Sequence, residues 1–383
     1  MASPAGTIPF NRPFMTGKEL WYIAQAHQHG WLAGDGVFTK RCDAWLEDRT
    51  GAGRALLTHS CTAALEMAAL LAGIHPGDEV IMPSFTFVST ANAFVQRGAV
   101  PVFVDIRRDT LNLDESLIEP AITARTKAIV PVHYAGVACE MDAIVAIANR
   151  HGIMVIEDAA QAIMASYRGR PLGSIGQMGA LSFHETKNII SGEGGALLVN
   201  DVTLVERAEI IREKGTNRSQ FFRGHVDKYT WVDVGSSYLP SELVAAFLWA
   251  QMEEAEVITG RRLGLWQTYH AAFAEIEGLG VVRRPIVPPE CSHSAHMYYL
   301  LLPCLRDRTA FIDALKARDV HAVFHYVPLH SSPAGRRYGR TVGDLANTLE
   351  LSDRLVRLPL WVGLEERIGE VIAAVTAAVG CPS

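Results

Sequence analysis

Between about residues 50 and 200 the chain alternates helix-like stretches with short apolar runs, and this alternation limits its fold more than any other feature. Glu79-Val80-Ile81-Met82, Val100-Pro101-Val102-Phe103-Val104, Ala128-Ile129-Val130-Pro131-Val132 and Met154-Val155-Ile156 are each apolar enough to be covered on both faces. Runs of that kind separated by helices build βαβ units and a mostly parallel sheet. Ala63–Leu71 is a strong helix former, His75-Pro76-Gly77-Asp78 supplies turn chemistry after it, and Pro83 closes the following strand. From Ser241 a second helical stretch runs to Gln251 and on toward Arg261 and Arg262. Beyond about residue 280 come proline-rich loops, a strand at His296–Leu302, a helix through Ala310–Leu315 and an alanine-rich terminal helix. The expectation is an α/β protein with a large domain over 1–240, N-terminal arm included, and a bridging helix plus a small α+β domain over 241–383. The 383 residues suit two such units better than one core.

A formal net charge of −6 shows no cationic excess that could neutralise a nucleic-acid backbone. The stretch Met1–Thr7 lacks a basic segment followed by an apolar one, and no later apolar run reaches the ~20 residues that span a bilayer. A cytoplasmic protein is expected, with neither membrane nor nucleic acid as partner. Cys42, Cys61, Cys139, Cys291, Cys304 and Cys381 are scattered without CxxC spacing, which suggests neither a zinc site nor a disulfide framework.

Chemistry concentrates in two runs. Val155-Ile156-Glu157-Asp158-Ala159-Ala160-Gln161 ends a strand on a carboxylate, and about two dozen residues later comes Ser182-Phe183-His184-Glu185-Thr186-Lys187-Asn188. An amine at a strand edge can form a Schiff base with a cofactor aldehyde, and a buried carboxylate can keep a pyridine nitrogen protonated so that the ring draws electrons. The pair reads as a pyridoxal phosphate site. In a parallel sheet, ligands bind beyond the carboxyl ends of the strands, where Asp158 and Pro83-Ser84-Phe85-Thr86-Phe87 both fall. Each residue also has a plainer reading: Lys187 as a solvated charge, Asp158 as a helix N-cap, Gln161 as helix surface, Phe87 as core packing, and His184 as a locally satisfied imidazole. Gly192-Glu193-Gly194-Gly195 lacks the strand and helix that flank a nucleotide loop and reads as flexible backbone beside the lysine.

Ser60-Cys61-Thr62-Ala63-Ala64-Leu65, the Pro83–Phe87 loop, Glu157–Gln161 and Ser182–Lys187 occur in the order found in the DegT/DnrJ/EryC1/StrS sugar aminotransferases, and the chain resembles that family over nearly its whole length. The resemblance implies the fold type I architecture, with a large sheet of the seven-stranded type, and pyridoxal 5'-phosphate as cofactor. It implies that Lys187 holds the cofactor and moves the proton, that Asp158 pairs with the pyridine nitrogen, that Gln161 meets the phenolic oxygen and that Phe87 stacks on the ring. Phosphate falls to the N–H groups of Cys61 and Thr62 after Ser60, with the Ser182 hydroxyl. Many relatives have glycine where Cys61 stands, and an asparagine near Gly235-Ser236-Ser237-Tyr238 that reaches the phosphate from the neighbouring subunit; here Ser237 is the candidate, in a homodimer with shared sites.

Lysine rather than histidine at 187 selects amino transfer over dehydration in this family. Ser60–Met67, Phe183–Asn188 and Gly235–Glu242 resemble the TDP-4-amino-4,6-dideoxygalactose transaminases of enterobacterial common antigen synthesis. That implies L-glutamate as donor and a nucleotide-linked keto sugar, TDP-4-keto-6-deoxy-D-glucose, as acceptor. Candidate substrate contacts are His184, Arg212, Lys214, Asn217, Arg218, Tyr326 and His330. Sibling transaminases acting at carbon 3, with the opposite configuration at carbon 4, or on GDP or UDP sugars share these motifs, and a cofactor-binding regulator without turnover is the alternative of another class.

Overall fold

The computed structural model describes residues 6–380; residues 1–5 of the N-terminal stretch and Cys381 lie outside them. The strands are β1 (Arg54–Thr58), β2 (Glu79–Pro83), β3 (Val100–Val104), β4 (Thr126–Ile129), β5 (Met154–Asp158), β6 (Ser166–Tyr167), β7 (Arg170–Pro171), β8 (Met178–Ser182), β9 (Gly195–Val199), β10 (Cys291–Ser292), β11 (Tyr298–Leu301), β12 (Arg340–Thr341) and β13 (Leu355–Leu358). The main sheet runs β1-β9-β8-β5-β4-β2-β3-β12, while β10-β6-β7 and β11-β13 form two small sheets. Only β9 opposes its neighbours in the main sheet; β5, β4, β2 and β3 pair in parallel, and β8 joins them parallel to β5. The family's seven strands are therefore present, with the two-residue β12 added from the C-terminal part of the chain.

Both faces of this sheet are covered, as the unbroken apolar runs require. Leu56, Val80, Met82, Ile156 and Leu197 face one core with the Cys61–Leu71 helix, whereas Leu57, Ile81, Val155, Leu181 and Leu198 face another on the opposite side. Successive residues point to opposite faces, so a two-sided cover needs apolar residues at every position. Each fully buried Leu, Ile or Val contributes about 1.5–3 kcal/mol by leaving water. The apolar run through Val132 outlasts its strand: β4 stops at Ile129, and only an isolated bridge from Val132 to Asp158 continues the pairing. Pro131 lacks the N–H that an unbroken ladder needs.

The long helix expected from Ser241 forms as two, Glu242–Glu253 and Ala255–Ala272, separated at Glu254, whose φ of −105° and ψ of 12° depart from helix. Its first part belongs to the large core through Ala245, Leu248 and Met252, and its later turns pack with β11, β13 and the Ile368–Val379 helix through Leu265, Trp266 and Tyr269. Ile8 bridges to Val320 in parallel, so the N-terminal arm lies on the C-terminal unit before crossing to the large one. No helix among the described residues is long and apolar enough to cross a membrane.

Candidate active site

β1, β2, β5 and β8 point the same way, so the loops after them meet at one rim of the sheet. They open on a cavity of about 630 Å³, lined by Ser60, Cys61, Thr62, Phe87, Asp158, Gln161, Ser182, His184, Lys187 and Tyr326 among others. Ten residues singled out from the sequence thus converge.

After β1, the Ser60 Oγ accepts from the Ala63 N–H at 3.1 Å and caps the 11-residue Cys61–Leu71 helix. The cap leaves the Cys61 and Thr62 N–H groups at the positive end of the helix, facing the cavity: an anion site. Backbone crowding shapes it. A Cβ on Gly195 would fall inside contact distance of the Ser60 and Cys61 backbone, so β9 can approach the turn only as glycine. The Gly192–Gly195 run is therefore not simply flexible. Ser191 and Phe183 N–H groups donate to Phe183 and Gly194 carbonyls at 2.7 and 2.9 Å, closing the lysine loop on itself.

Asp158 ends β5, 5% exposed. Its Oδ2 accepts from the Thr90 hydroxyl at 2.7 Å, and Thr90 in turn meets the Thr86 hydroxyl at 2.8 Å. Next to it, Glu157 accepts the N–H groups of Gly173, Ile175 and Gly176. His133 Nδ1 accepts from the Cys139 N–H, so its Nε2 carries the proton and donates to Glu157 at 2.9 Å. That buried cluster locks the strand end from which Asp158 projects.

Lys187 borders the same cavity, and burial lowers its ammonium pKa, against the opposing pull of Cys61 and Asp158; the Arg357 charge lowers it further. Asn188 anchors the loop across to the C-terminal unit, donating to the Ser294 carbonyl at 2.7 Å and meeting His296 Nδ1 at 3.1 Å. Gln161 accepts the Ala135 N–H at 2.7 Å and donates to the Tyr326 hydroxyl at 3.0 Å. Phe87 is 56% exposed, an aromatic face left bare at the cavity wall rather than packed in the core. His184 Nδ1 meets Thr186 Oγ1 at 2.9 Å at the rim.

The remaining candidates lie elsewhere. Arg212 is corrected outright: 1% exposed, it pairs with Asp35 and Asp43 at 3.3 Å inside the fold and does not reach the cavity. His330 turns to Ser84, its Nδ1 at 2.6 Å from the hydroxyl, and pins the C-terminal unit to the end of β2. Asn217, Arg218, Lys214 and Ser237 lie off the cavity of their own chain; Arg218 stacks on Phe222, and Lys214 and Ser237 are exposed. The sequence reading missed Phe10, Asn11, Arg262, His296, His325 and Arg357, all cavity residues. Arg357 carried a signal, standing alone among apolar residues in Leu355-Val356-Arg357-Leu358.

A parallel-sheet rim that presents a half-buried lysine, an oriented aspartate and a capped helix N-terminus to one cavity defines a pyridoxal phosphate-dependent aminotransferase. The comparisons agree: residues 14–376 match the DegT/DnrJ/EryC1/StrS aminotransferase family, and the chain belongs to it. It is 34% identical to the spore coat polysaccharide biosynthesis protein SpsC of Bacillus subtilis, over 96% of each chain. It is 32% identical to the UDP-4-amino-4-deoxy-L-arabinose–oxoglutarate aminotransferase of Shewanella sediminis, over 97% of this chain and 98% of that one. Among solved structures, the putative sugar aminotransferase Spr1654 of Streptococcus pneumoniae in its PMP-form superposes with a TM-score of 0.89 at 26% identity, over 97% and 98% of the two chains. Its PLP-form gives the same TM-score.

Proposed function

We propose that the chain moves the amino group of L-glutamate to carbon 4 of TDP-4-keto-6-deoxy-D-glucose, giving TDP-4-amino-4,6-dideoxy-D-galactose. The observation that carries amino transfer is the meeting of Lys187, Asp158 and the Cys61–Thr62 helix start in one cavity. The sugar rests on the subgroup resemblance of Ser60–Met67, Phe183–Asn188 and Gly235–Glu242. The relatives support its class, since the Shewanella protein's name couples a 4-amino sugar to oxoglutarate.

The residues present fit the cofactor. Cys61 and Thr62 N–H groups and the Ser182 hydroxyl would take its phosphate, Asp158 would pair with its ring nitrogen, Gln161 with its phenolic oxygen, and Phe87 would stack on its ring, all five regions lining the one cavity. When bound, pyridoxal phosphate supplies an aldehyde for Schiff-base exchange and a ring that withdraws electrons from the substrate carbon. Lys187 moves the proton at that carbon; desolvation lowers its ammonium pKa, which favours the neutral, basic form. Thr90 orients the Asp158 carboxylate, which would keep the ring nitrogen of the bound cofactor protonated. His184 and Tyr326 line the same cavity and are the candidate sugar contacts of this reading.

The site is completed by a second copy. Trp231 is 78% exposed, Tyr229 and Phe222 more than half, and Leu20 and Trp21 likewise, large apolar side chains left to water. A homodimer covers them and carries Ser237, Asn217 and Arg218 toward the neighbouring cavity. Incubation of the holoenzyme with L-glutamate and TDP-4-keto-6-deoxy-D-glucose, followed by NMR of the product, tests this reading. An axial amine at carbon 4 is expected; an equatorial amine, or turnover only with a UDP or GDP sugar, would replace it with a sibling activity.

A further inference from the structure

We infer that His296 is a positioning residue for Lys187: its Nε2 lone pair holds the ammonium that Lys187 becomes when it takes up a proton, and Asn188 keeps that lone pair bare. This rests on the transaminase reading above. Three neighbouring groups fix the imidazole. The Ser294 carbonyl can only accept, so the Asn188 Nδ2 lies against it, donating at 2.7 Å. The Asn188 Oδ1 is then turned to His296 Nδ1, 3.1 Å away, and since an amide oxygen can only accept, Nδ1 carries the proton. Burial, followed by the Lys187, Arg262 and Arg357 charges, holds the imidazole well below its ordinary pKa, so Nε2 has none. That nitrogen has no protein partner among the described residues, and His296, 9% exposed, opens onto the cavity that Lys187 borders.

The segment that carries His296 is strained and tied down. Ala295 adopts a φ of +51°, a left-handed conformation unfavourable to a residue with a Cβ. The buried Arg262 makes no ion pair among the described residues and donates instead to the Ala295 and His296 carbonyls, at 3.1 and 2.8 Å. Asn188 ties the same segment from the other side and follows Lys187 in the chain, so one side chain couples the lysine loop to the imidazole. A left-handed alanine and a buried cation without a counter-ion both oppose folding; what they secure is the direction of one ring.

Lys187 needs such an acceptor. When the substrate C–H bond breaks, its electron pair stays with the carbon, drawn toward the bound cofactor, and the proton moves to Nζ. The resulting ammonium has three donors, and in a buried cavity it is costly unless they are met. The acids of the cavity wall are engaged elsewhere: Asp158 accepts from Thr90, and Glu193 lies 3.7 Å from His184. His325 offers the opposite polarity. The Tyr134 hydroxyl, kept protonated by burial and without another partner among the described residues, donates to His325 Nδ1 at 3.0 Å, which leaves the His325 proton on Nε2. The Arg262 and Arg357 guanidiniums can only donate, so His296 supplies the lone pair.

The test compares wild type with His296→Phe, which keeps an aromatic ring and removes the lone pair, and His296→Gln, whose amide oxygen can take the place of Nε2. In the apoenzyme, nitrogen NMR of the histidines should show wild-type His296 protonated on Nδ1 and bare on Nε2, and Asn188→Ala should admit both forms. In the holoenzyme, loss of the aldehyde-form absorbance on rapid mixing with saturating L-glutamate should be about 10- to 100-fold slower in His296→Phe, the range of one hydrogen bond to a charged group. The half-saturating glutamate concentration should stay the same, the α-deuterium isotope effect on the rate should rise, and His296→Gln should recover most of the loss. Thermal melting and cofactor absorbance report folding and loading. A proton on Nε2 in the wild-type apoenzyme, or a folded, loaded His296→Phe with the wild-type rate and isotope effect, would overturn the role of His296 and leave the transaminase reading in place. Equal losses in His296→Phe and His296→Gln with an unchanged isotope effect would overturn it too, by reducing His296 to a structural support. Wild-type absorbance that ignores L-glutamate would remove the donor reading and this proposal with it.

Discussion

The sheet rim and the Arg212–Ser237 segment were both rich in candidate residues, yet they behave differently in the fold. At the rim, Ser60, Asp158 and Lys187 follow three strands whose directions are fixed by pairing, and their side chains meet in one cavity. In the segment, Arg212 turns inward to two aspartates while Tyr229, Trp231 and Ser237 face outward. Residues at strand ends inherit their direction from the ladder; residues on a long excursion take theirs from whatever covers them. The first kind of site is assembled within one chain, whereas the second leaves Trp231 and Ser237 at its surface.

Breaking the rim should have the largest effect. Lys187→Ala is expected to lower turnover by about 10³-fold or more while retaining cofactor, since the proton-transfer group is lost; measurable transamination by this variant in a product assay would exclude the role. Asp158→Asn should cost about 10²-fold, the scale of removing a charge that stabilises the transition state, with Thr90→Val weaker in the same assay because it only orients the carboxylate. On the other region, Trp231→Glu should shift the protein to monomer in sedimentation velocity and weaken cofactor binding. A dimer that survives this change would mean that another surface joins the copies.

Two smaller effects sharpen the comparison. Gly195→Ala should destabilise by about 1–3 kcal/mol through overpacking against Ser60 and Cys61, read as a lower urea midpoint, whereas Gly224→Ala in the outer segment meets no neighbour and pays only the strain of its φ of +74°. The second effect is acid sensitivity. Burial holds His296 and His325 well below the usual imidazole pKa of 6.5. The unfolded chain then binds more protons below pH 6.5, so stability falls as pH drops, by up to about 1.4 kcal/mol per pH unit for each histidine. Asp43 acts in the opposite sense, because burial raises its pKa to about 6 and favours the fold below that value. Urea unfolding at pH 7.5 and 5.5 should show the histidine effect prevailing, and His325→Gln should flatten the dependence.

The same physical division explains what the sequence made legible. Unbroken apolar runs declared buried parallel strands, and the residues after them were correctly placed at one rim, because strand pairing carries that information locally. Arg212 could not be read this way: it stands among the polar residues Lys214, Asn217 and Arg218, named with it as substrate contacts, and only the tertiary approach of Asp35 and Asp43 buries it. Arg357 failed for the converse reason, since the antiparallel pair of β11 and β13 that carries it to the cavity joins segments more than fifty residues apart. Glu254, where the long helix breaks, carries no glycine or proline to announce it.

The central claim is that the rim, through Lys187, performs amino transfer from L-glutamate. The most direct measurement follows the visible absorption of the holoenzyme as L-glutamate and then TDP-4-keto-6-deoxy-D-glucose are added. The account predicts that the aldehyde-form band is lost with glutamate and restored by the sugar in wild type, with neither change completed in Lys187→Ala. A band that ignores glutamate in wild type, or that cycles normally in the variant, would contradict it.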